Sequence, residues 1–96
     1  MSKYKIFETE GFLKDLEQDF KGRREKIRAK LDNYVYPKLR QQPYFGLHIV
    51  KLTNYKHDTW RYRIGDWRFF YKIDKENKIV IMLAADDRAI AYTNIK

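Results

Sequence analysis

The sequence predicts an α+β protein in which an N-terminal strand and a helical hairpin pack on one face of a mostly antiparallel sheet of four to five strands. Two observations predict this class. Before Gly46, two stretches repeat apolar residues at helical spacing, and after it the segments alternate between apolar and charged residues or are continuously apolar. The chain has 96 residues, enough for one modest core, so we expect residues 1–96 to form a single domain.

The first half of the chain is predicted to contain a strand and two helices. The strand covers residues 4–7, and Thr9 is a suitable N-cap for the first helix. An apolar stripe then follows at helical spacing, formed by Phe12, Leu13, Leu16 and Phe20. The second helix begins near Arg23, and Pro37 and Pro43 limit its length. Its apolar face consists of Ile27, Leu31, Tyr34 and Val35.

The second half is predicted to contain four strands, at residues 47–53, 59–64, 67–73 and 79–85. The second and third of these are joined by Gly65–Asp66, a two-residue turn with glycine in the first position, as a type II′ turn requires. Residues 79–85 are nearly all apolar, which is typical of a central strand that is covered on both faces, or on one face and by a partner.

The Gly65–Asp66 turn also predicts how two strands pair. With these two residues as the loop, Arg63 lies opposite Arg68 and Arg61 lies opposite Phe70. Because side chains alternate along a strand, one face, which the helices cover, collects Trp60, Tyr62, Ile64, Trp67, Phe69 and Tyr71. The other face collects Arg61, Arg63, Arg68, Phe70 and Lys72.

Two interpretations of this basic face are open. Like charges directly opposite each other destabilise a sheet, so the Arg63–Arg68 pair indicates that an anion binds there, and guanidinium groups match the geometry of phosphate. Phe70 provides a ring on which a base can stack. Alternatively, the arginines are ordinary solvent-facing residues that Asp58 and Asp66 partly neutralise.

The charge of the chain is uneven. The formal net charge is +8, and residues 21–40 contain eight basic and two acidic residues, whereas residues 41–73 contain six and two. The first of these segments includes a basic helix cluster, formed by Lys21, Arg23, Arg24, Lys26, Arg28 and Lys30. Two interpretations of this cluster are open: a solvated helix face, and a long-range electrostatic attraction to nucleic acid.

Composition excludes several classes of site. The sequence has no cysteine and two histidines, His48 and His57, so we expect no metal site and no cofactor. It contains no glycine-rich phosphate-binding loop. The N-terminus lacks a signal peptide, and no apolar run reaches the roughly 20 residues that a membrane span needs. We therefore expect a cytoplasmic protein without a membrane partner.

Several segments together form a family pattern. They are Pro43–x–x–Gly46, Val50–Lys51–Leu52, Trp60–Arg61–Tyr62–Arg63–Ile64–Gly65–Asp66–Trp67–Arg68, Phe70–Tyr71, and an apolar strand followed by Arg88 and Tyr92. With these segments in this order, the chain resembles the RelE/ParE toxin superfamily from its first strand to its last. The resemblance implies a RelE-like fold and a small toxin of a type II toxin–antitoxin pair, with a cognate antitoxin as its partner.

RelE-like members of that superfamily are endoribonucleases that cleave messenger RNA, usually on the ribosome, and thereby inhibit translation. The resemblance implies that Arg68 stabilises the transition state, that Arg88 donates a proton or clamps charge, and that Tyr92 stacks on or orients the RNA. Arg61 matches a basic catalytic position where such enzymes can use lysine. The messenger RNA and the ribosome are the implied partners. The predicted RNA-binding residues are Arg63, Lys51, Phe70, Lys72 and His57.

The sequence does not identify the general base. Arginine is a poor base because its guanidinium group stays protonated at neutral pH. Alternatively, catalysis rests on orientation of the RNA by the ribosome together with charge stabilisation. The side chains that are candidates for the base are Lys51, His57, Asp86 and Asp87.

The sequence leaves two other functions open. One is a ParE-like toxin that binds DNA gyrase and has no nuclease activity, and another is a non-catalytic nucleic-acid-binding module. The presence of Arg68, Arg88 and Tyr92 favours the nuclease, because gyrase-binding relatives generally lack the catalytic set on the sheet face.

Overall fold

Residues 3–19, 23–53 and 57–87, which the computed structural model describes, form a five-stranded sheet with helices on one face. The strands are β1 (Lys5–Glu8), β2 (Ile49–Leu52), β3 (Thr59–Ile64), β4 (Trp67–Asp74) and β5 (Ile79–Asp87). The helices are α1 (Glu10–Asp19), α2 (Arg24–Lys30) and α3 (Tyr36–Gln41), and a π-helical turn, Leu31–Val35, joins the last two without a break.

The strand order in the sheet is β1-β5-β4-β3-β2. β1 runs parallel to β5, and the other neighbouring pairs are antiparallel. The predicted α+β class, with helices on a mostly antiparallel sheet, is therefore confirmed. Among the described residues, no helix is both long enough and apolar enough to cross a membrane.

Helix α1 begins beside β5. The Thr9 hydroxyl accepts a hydrogen bond from the Phe12 amide at 3.2 Å and donates one to the Met82 carbonyl at 2.7 Å. The predicted N-cap is confirmed, because the hydroxyl satisfies one of the free amides at the start of the helix. The same hydroxyl ties the helix to a central strand, and Phe12 and Leu16 then pack into the core.

The second helical segment continues past Pro37, contrary to the prediction. Proline has no amide hydrogen, and in a regular helix its ring clashes with the carbonyl four residues earlier. Here the wider π-helical turn Leu31–Val35 comes directly before Pro37, which falls in the first turn of α3, where no amide donor is needed. The segment ends at Gln41, before Pro43.

The core lies between the helices and the inner face of the sheet. Phe69 and Tyr71 of β4 and Met82 of β5 are fully buried, and the ring of Phe69 lies 6.3 Å from that of Phe12. Tyr71 satisfies its buried hydroxyl by donating to the Pro43 carbonyl at 2.7 Å. The long helical segment contributes Ile27, Leu31, Val35, Tyr36 and Leu39.

Two residues that the helical spacing assigns to the core lie at its margin instead. Leu13 is 43% exposed and Tyr34 is 56% exposed, so their predicted burial was wrong. Each is next to a fully buried residue in the chain, and one step along a helix rotates the side chain by about 100°, which takes it to the edge of the apolar stripe. Phe20 lies outside the described residues.

A polar cluster ties β1 to the helices. Glu8 accepts hydrogen bonds from the Arg28 guanidinium at 2.8 Å and from the Tyr36 hydroxyl. Burial alone would raise the pKa of Glu8, but the two hydrogen bonds hold it below its ordinary value. Burial and the adjacent carboxylate raise the pKa of Tyr36 well above its ordinary value. The cluster therefore stabilises the fold with Glu8 ionised and Tyr36 neutral.

Glu8→Gln is expected to lower the free energy of unfolding at neutral pH by about 1–3 kcal/mol, because a charged acceptor of two hydrogen bonds is lost. A carboxyl group whose pKa is lowered by folding stabilises the fold above its unfolded-state pKa, and that contribution disappears as the pH falls through the folded-state pKa. Urea unfolding at neutral pH and near pH 3 measures the difference between wild type and variant, which should shrink in acid. Glu76→Gln, in the exposed β4–β5 turn, is the control, and an equal difference at both pH values would contradict the assignment.

Candidate functional site

The outer face of the sheet, opposite the helices, holds the basic residues that the sequence singled out. The register of β3 and β4 pairs Arg63 with Arg68 and Arg61 with Phe70, as the Gly65–Asp66 turn predicted. The glycine of that turn has φ +60°, a conformation that glycine adopts without strain. We call this surface the open face, and its residues on these two strands are Arg61, Arg63, Arg68, Phe70 and Lys72.

The guanidinium groups of the open face are incompletely satisfied. Arg63 is exposed, whereas Arg61 and Arg68 are half-buried. The Nε atoms of Arg61 and Arg68 are buried and have no hydrogen-bond partner among the described residues. A buried donor without a partner costs roughly 1–3 kcal/mol, and phosphate oxygens are strong acceptors for guanidinium N–H groups. The arrangement therefore suits an anion that accepts hydrogen bonds from both arginines.

Strand β5 adds an acid to this row of arginines. Asp86 pairs with Arg68, so that Arg63, Arg68 and Asp86 form one row across three neighbouring strands. One row along, Ala84 pairs with Phe70. Around this row, the open face thus combines guanidinium groups with the Asp86 carboxyl group and the Phe70 ring.

A bulge at Leu83 sets the direction of Asp86. Leu83 has no partner in β4, so β5 contains one extra residue at this point. As a result Met82 and Ala85, three positions apart, are both buried against the helices. With regular alternation from Met82, Asp86 would point towards the helices, and the extra residue turns it to the open face instead.

Asp86 is half-buried and faces charges of both signs. Burial raises the pKa of Asp86, Arg68 lowers it and Asp15 of α1 raises it, and the result lies above the ordinary aspartate value. Asp15 is held close to β5 because its carboxylate accepts a hydrogen bond from the Ala85 amide at 3.1 Å. The site therefore holds a carboxyl group that takes up a proton more readily than an exposed aspartate.

A shallow groove of about 310 Å³ opens beside the arginines. Val50 of β2 pairs with Arg61, so the groove passes from an apolar wall to a charged one. Apolar surface suits a nucleotide base, and guanidinium groups suit the phosphate next to it. The groove is lined by Leu47, His48, Val50, Arg61, Arg63 and Gly65.

Two of the predicted RNA-binding residues lie away from this row. Lys51 pairs with the buried Trp60 and so faces the helix side of the sheet; its Nζ lies 5.5 Å from the centre of the Trp60 ring and 3.7 Å from a carboxylate oxygen of Asp58. His57 is exposed and lies in the bend before β3, four residues before Arg61. The structure does not bring either residue to the paired arginines.

The remaining predicted residues have different positions. Lys72 lies on the open face, where it pairs with Ile81. Within the described ranges, no group of three or more histidine, aspartate or glutamate side chains is arranged to hold a metal ion. Outside the described residues lie Arg88, Tyr92 and the side chain of Asp87.

The basic helix cluster divides into parts with different surroundings. Arg28 is engaged by Glu8 and therefore belongs to the fold. Arg23, Lys26 and Lys30 line a second groove, of about 430 Å³, which ends at the tip of the β3–β4 hairpin. Outside the described residues lie Lys21 and the side chain of Arg24.

Sequence reasoning missed an apolar groove of about 470 Å³ between the helices and β2. Its walls include Tyr34, Phe45 and Leu47, of which Phe45 is 76% and Leu47 is 94% exposed. The sequence signal was Phe45–Gly46–Leu47, two apolar residues around a glycine in a segment without strand or helix periodicity. The basic side chains in its lining are Lys38 and His48, and none of its lining residues is acidic.

Arg63→Glu is expected to raise the free energy of unfolding by about 0.5–1 kcal/mol, because an opposite-charge pair with Arg68 replaces a like-charge pair. Arg63→Gln, which removes the repulsion without adding an attraction, should give a smaller gain. Both gains should shrink in high salt, because ions screen exposed charges. Urea unfolding at low and high ionic strength measures this, and a loss of stability in both variants would show that the arginine pair carries no such cost.

Solved structures resemble this chain along most of its length. A chain of the RelBE2 toxin–antitoxin complex from Mycobacterium tuberculosis is 26% identical over 93% of this chain and 95% of its own, with a TM-score of 0.75. A chain of the intact E. coli RelBE toxin–antitoxin complex is 19% identical over 88% and 95%, with a TM-score of 0.62. The isolated E. coli RelE toxin is 17% identical over 94% and 92%, with a TM-score of 0.59.

No family model and no curated protein matches the sequence. The similarity to the isolated RelE toxin shows that the shared fold is that of the toxin subunit. The two E. coli matches concern the fold alone at their level of identity, and they agree with the match from Mycobacterium tuberculosis. The resemblance that the motifs predicted is confirmed, and this chain has the RelE-like toxin fold.

Proposed function

We propose that this protein is the toxin of a type II toxin–antitoxin pair, an endoribonuclease that cleaves ribosome-bound messenger RNA and so inhibits translation. The match to a toxin–antitoxin complex at 26% identity supports a type II toxin. The nuclease proposal rests on one observation, the buried Nε donors of Arg61 and Arg68, which have no partner among the described residues of the open face. Its messenger RNA substrate and the ribosome belong to the cytoplasm, and the reaction needs no cofactor.

The two arginines suit the transition state of RNA cleavage. Attack of a 2′-hydroxyl on the adjacent phosphorus adds negative charge to the phosphoryl oxygens, which fixed N–H donors stabilise. Arg61 and Arg68 are diagonal neighbours on adjacent strands, about 7–8 Å apart, so they can hold one phosphate from two sides. By resemblance, Arg88 supplies a proton or a charge clamp and Tyr92 orients the RNA.

The rest of the open face suits the flanking nucleotides. Phe70 is paired with Arg61, two residues from Arg68 on the same face, and offers a ring for stacking, while Arg63 and Lys72 offer charge to neighbouring phosphates. We therefore assign RNA binding on the open face to these three residues. Lys51 and His57 would contact only RNA that extends beyond it.

Induced expression of the wild-type protein is expected to arrest translation and produce cuts in ribosome-bound messages. Arg61→Ala combined with Arg68→Ala should reduce the single-turnover cleavage rate by at least about a hundredfold, since removing even one charge-stabilising donor costs roughly that much. Primer extension on the messages and the rate of amino-acid incorporation measure the two effects. Lys14→Ala combined with Lys75→Ala removes the same charge from exposed positions elsewhere and should leave cleavage unchanged.

Two outcomes would contradict the nuclease proposal. Growth arrest that survives the double arginine change and is accompanied by a DNA-damage response would identify a gyrase-binding toxin instead. Binding of RNA without any cleavage by the wild-type protein would identify a non-catalytic nucleic-acid-binding module.

We also propose that the partner antitoxin docks in the apolar groove beside β2 through an acidic segment with apolar side chains. The similar chains come from toxin–antitoxin complexes, which supports a partner of this kind. The lining of the groove contains Lys38 and His48 and no acidic residue, and the net charge of +8 disfavours a second copy of this chain. From this groove the segment would reach the arginines of the open face, because Leu47 and His48 line both grooves.

Phe45→Asp is expected to weaken binding of the antitoxin at least tenfold, because it places an acid in the apolar groove opposite an acidic segment. Phe45 is 76% exposed and does not line the groove beside the arginines, so RNA cleavage should stay unchanged. Calorimetry with the protein encoded by the neighbouring gene measures the affinity. Leu13→Asp, on the exposed flank of α1, is the matched control, and equal losses in both variants would argue against the groove.

A further inference from the structure

We propose that Asp86 is the general base of the RNA cleavage and takes the proton from the attacking 2′-hydroxyl group. The inference rests on the proposed nuclease function and deepens it. The arginines of the open face can stabilise charge, but a guanidinium group stays protonated at neutral pH and cannot serve as a base. A separate group must therefore remove the proton, and the position of Asp86 in β5 supplies one.

The sheet register puts the Asp86 side chain beside the arginines. Directly paired residues on adjacent strands have Cβ atoms about 4.5–5.5 Å apart, and Asp86 is paired with Arg68. Arg63 lies on the far side of Arg68 in the same row. A ribose next to a phosphate held by Arg68 therefore lies within reach of the carboxylate.

The bulge at Leu83 is the feature that creates this arrangement. It shifts the alternation of β5 by one residue, so that Ala85 completes the core and Asp86 joins the open face. Bulges are concentrated next to active sites, where they re-aim a side chain. Here the re-aimed side chain is the carboxyl group of the arginine row.

The other side chains that the sequence offered as bases are less well placed. Lys51 faces the helix side of the sheet, and His57 lies in the bend before β3, four residues before Arg61. The side chain of Asp87 lies outside the described residues. Among the described candidates, Asp86 is the one that shares the open face with the paired arginines.

The surroundings of Asp86 suit a base. Among the described residues, Arg68 from β4 and Asp15 from α1 act on its charge, and Arg63 from β3 lies beyond Arg68 in the same row. Burial and Asp15 raise the pKa of Asp86, which outweighs the opposing effect of Arg68. A base is most effective when its pKa approaches the working pH. Asp86 is half-buried, so its carboxylate is partly accessible from the open face.

The proposed cleavage step is a transesterification. The Asp86 carboxylate takes the proton of the 2′-hydroxyl as the 2′ oxygen bonds to phosphorus, and Arg61 and Arg68 stabilise the added negative charge. The bond from phosphorus to the 5′ oxygen breaks, and that oxygen takes a proton from a water molecule. The products are a 2′,3′-cyclic phosphate and a 5′-hydroxyl end, and Asp86 returns its proton to solvent.

The test compares wild type, Asp86→Asn and Asp86→Glu on purified ribosomes programmed with a defined messenger RNA, in single turnover across a range of pH. Asp86→Asn should lower the cleavage rate about a hundredfold or more while the affinity for RNA is kept or increased. The wild-type rate should fall in acid, as Asp86 becomes protonated, and this fall should be absent from the residual activity of Asp86→Asn. Asp86→Glu should restore part of the rate together with its fall in acid.

The outcomes separate the inference from the proposed function. Cleavage by the wild type, with an equal rate and pH profile in Asp86→Asn, would overturn Asp86 as the base and leave the nuclease standing. A slow Asp86→Asn variant whose cleavage rate still falls in acid would also overturn the inference, because Asp86 would then be a positioning residue. If Asp86→Asn fails to fold, an Asp86→Glu protein that folds and cleaves without the fall in acid overturns the inference. Absence of cleavage by the wild type would overturn both.

Discussion

The turn at Gly65–Asp66 is the constraint on which the core and the open face both depend. It fixes the register of β3 against β4, and a slip of one residue would send every side chain of a strand to the opposite face. The register that buries Tyr62 beside Phe69 is therefore the same one that sets Arg63 opposite Arg68. The packed core and the basic face therefore depend on the same register, and a shift of either strand would change both.

Strand β5 contributes to the open face through a bulge rather than a turn. Its partner β1 ends at Glu8. Beyond that point β5 contacts helix α1, where the Asp15 carboxylate accepts a hydrogen bond from the Ala85 amide. The bulge at Leu83 lies in this stretch, where β5 pairs on one side with β4 and is held on the other by a helix side chain. A strand that is paired on both sides tolerates an extra residue poorly, because both ladders would be broken. Because β1 ends before it reaches Leu83, β5 can accommodate the bulge there. The bulge in turn places Asp86 beside the arginines.

The sequence predicted the fold class, the β3–β4 register and the basic face because strict alternation and a glycine turn specify them locally. It could not assign a face to Asp86, because the apolar run of β5 before it has no alternation to interpret and a bulge leaves no mark in such a run. Lys51 stands in the motif Val50–Lys51–Leu52, but the side of the sheet that it faces is set by the pairing of β2 with β3, which its own short segment does not specify. Pro37 was given too much weight, since a π-helical turn accommodates it.

The basic face is tolerated because the opposite face of the same strands is strongly stabilising. A like-charge pair costs up to about 1 kcal/mol and each unsatisfied Nε donor roughly 1–3 kcal/mol. Burial of a single large apolar side chain contributes about 1.5–3 kcal/mol, and β4 alone buries Phe69 and Tyr71 completely. A phosphate that binds between Arg61 and Arg68 relieves repulsion and satisfies donors at once, so part of its binding free energy comes from a cost that the free protein already bears. A carboxyl group can stand in this row without neutralising the face, because one aspartate beside Arg61, Arg63 and Arg68 leaves the charge of this group positive.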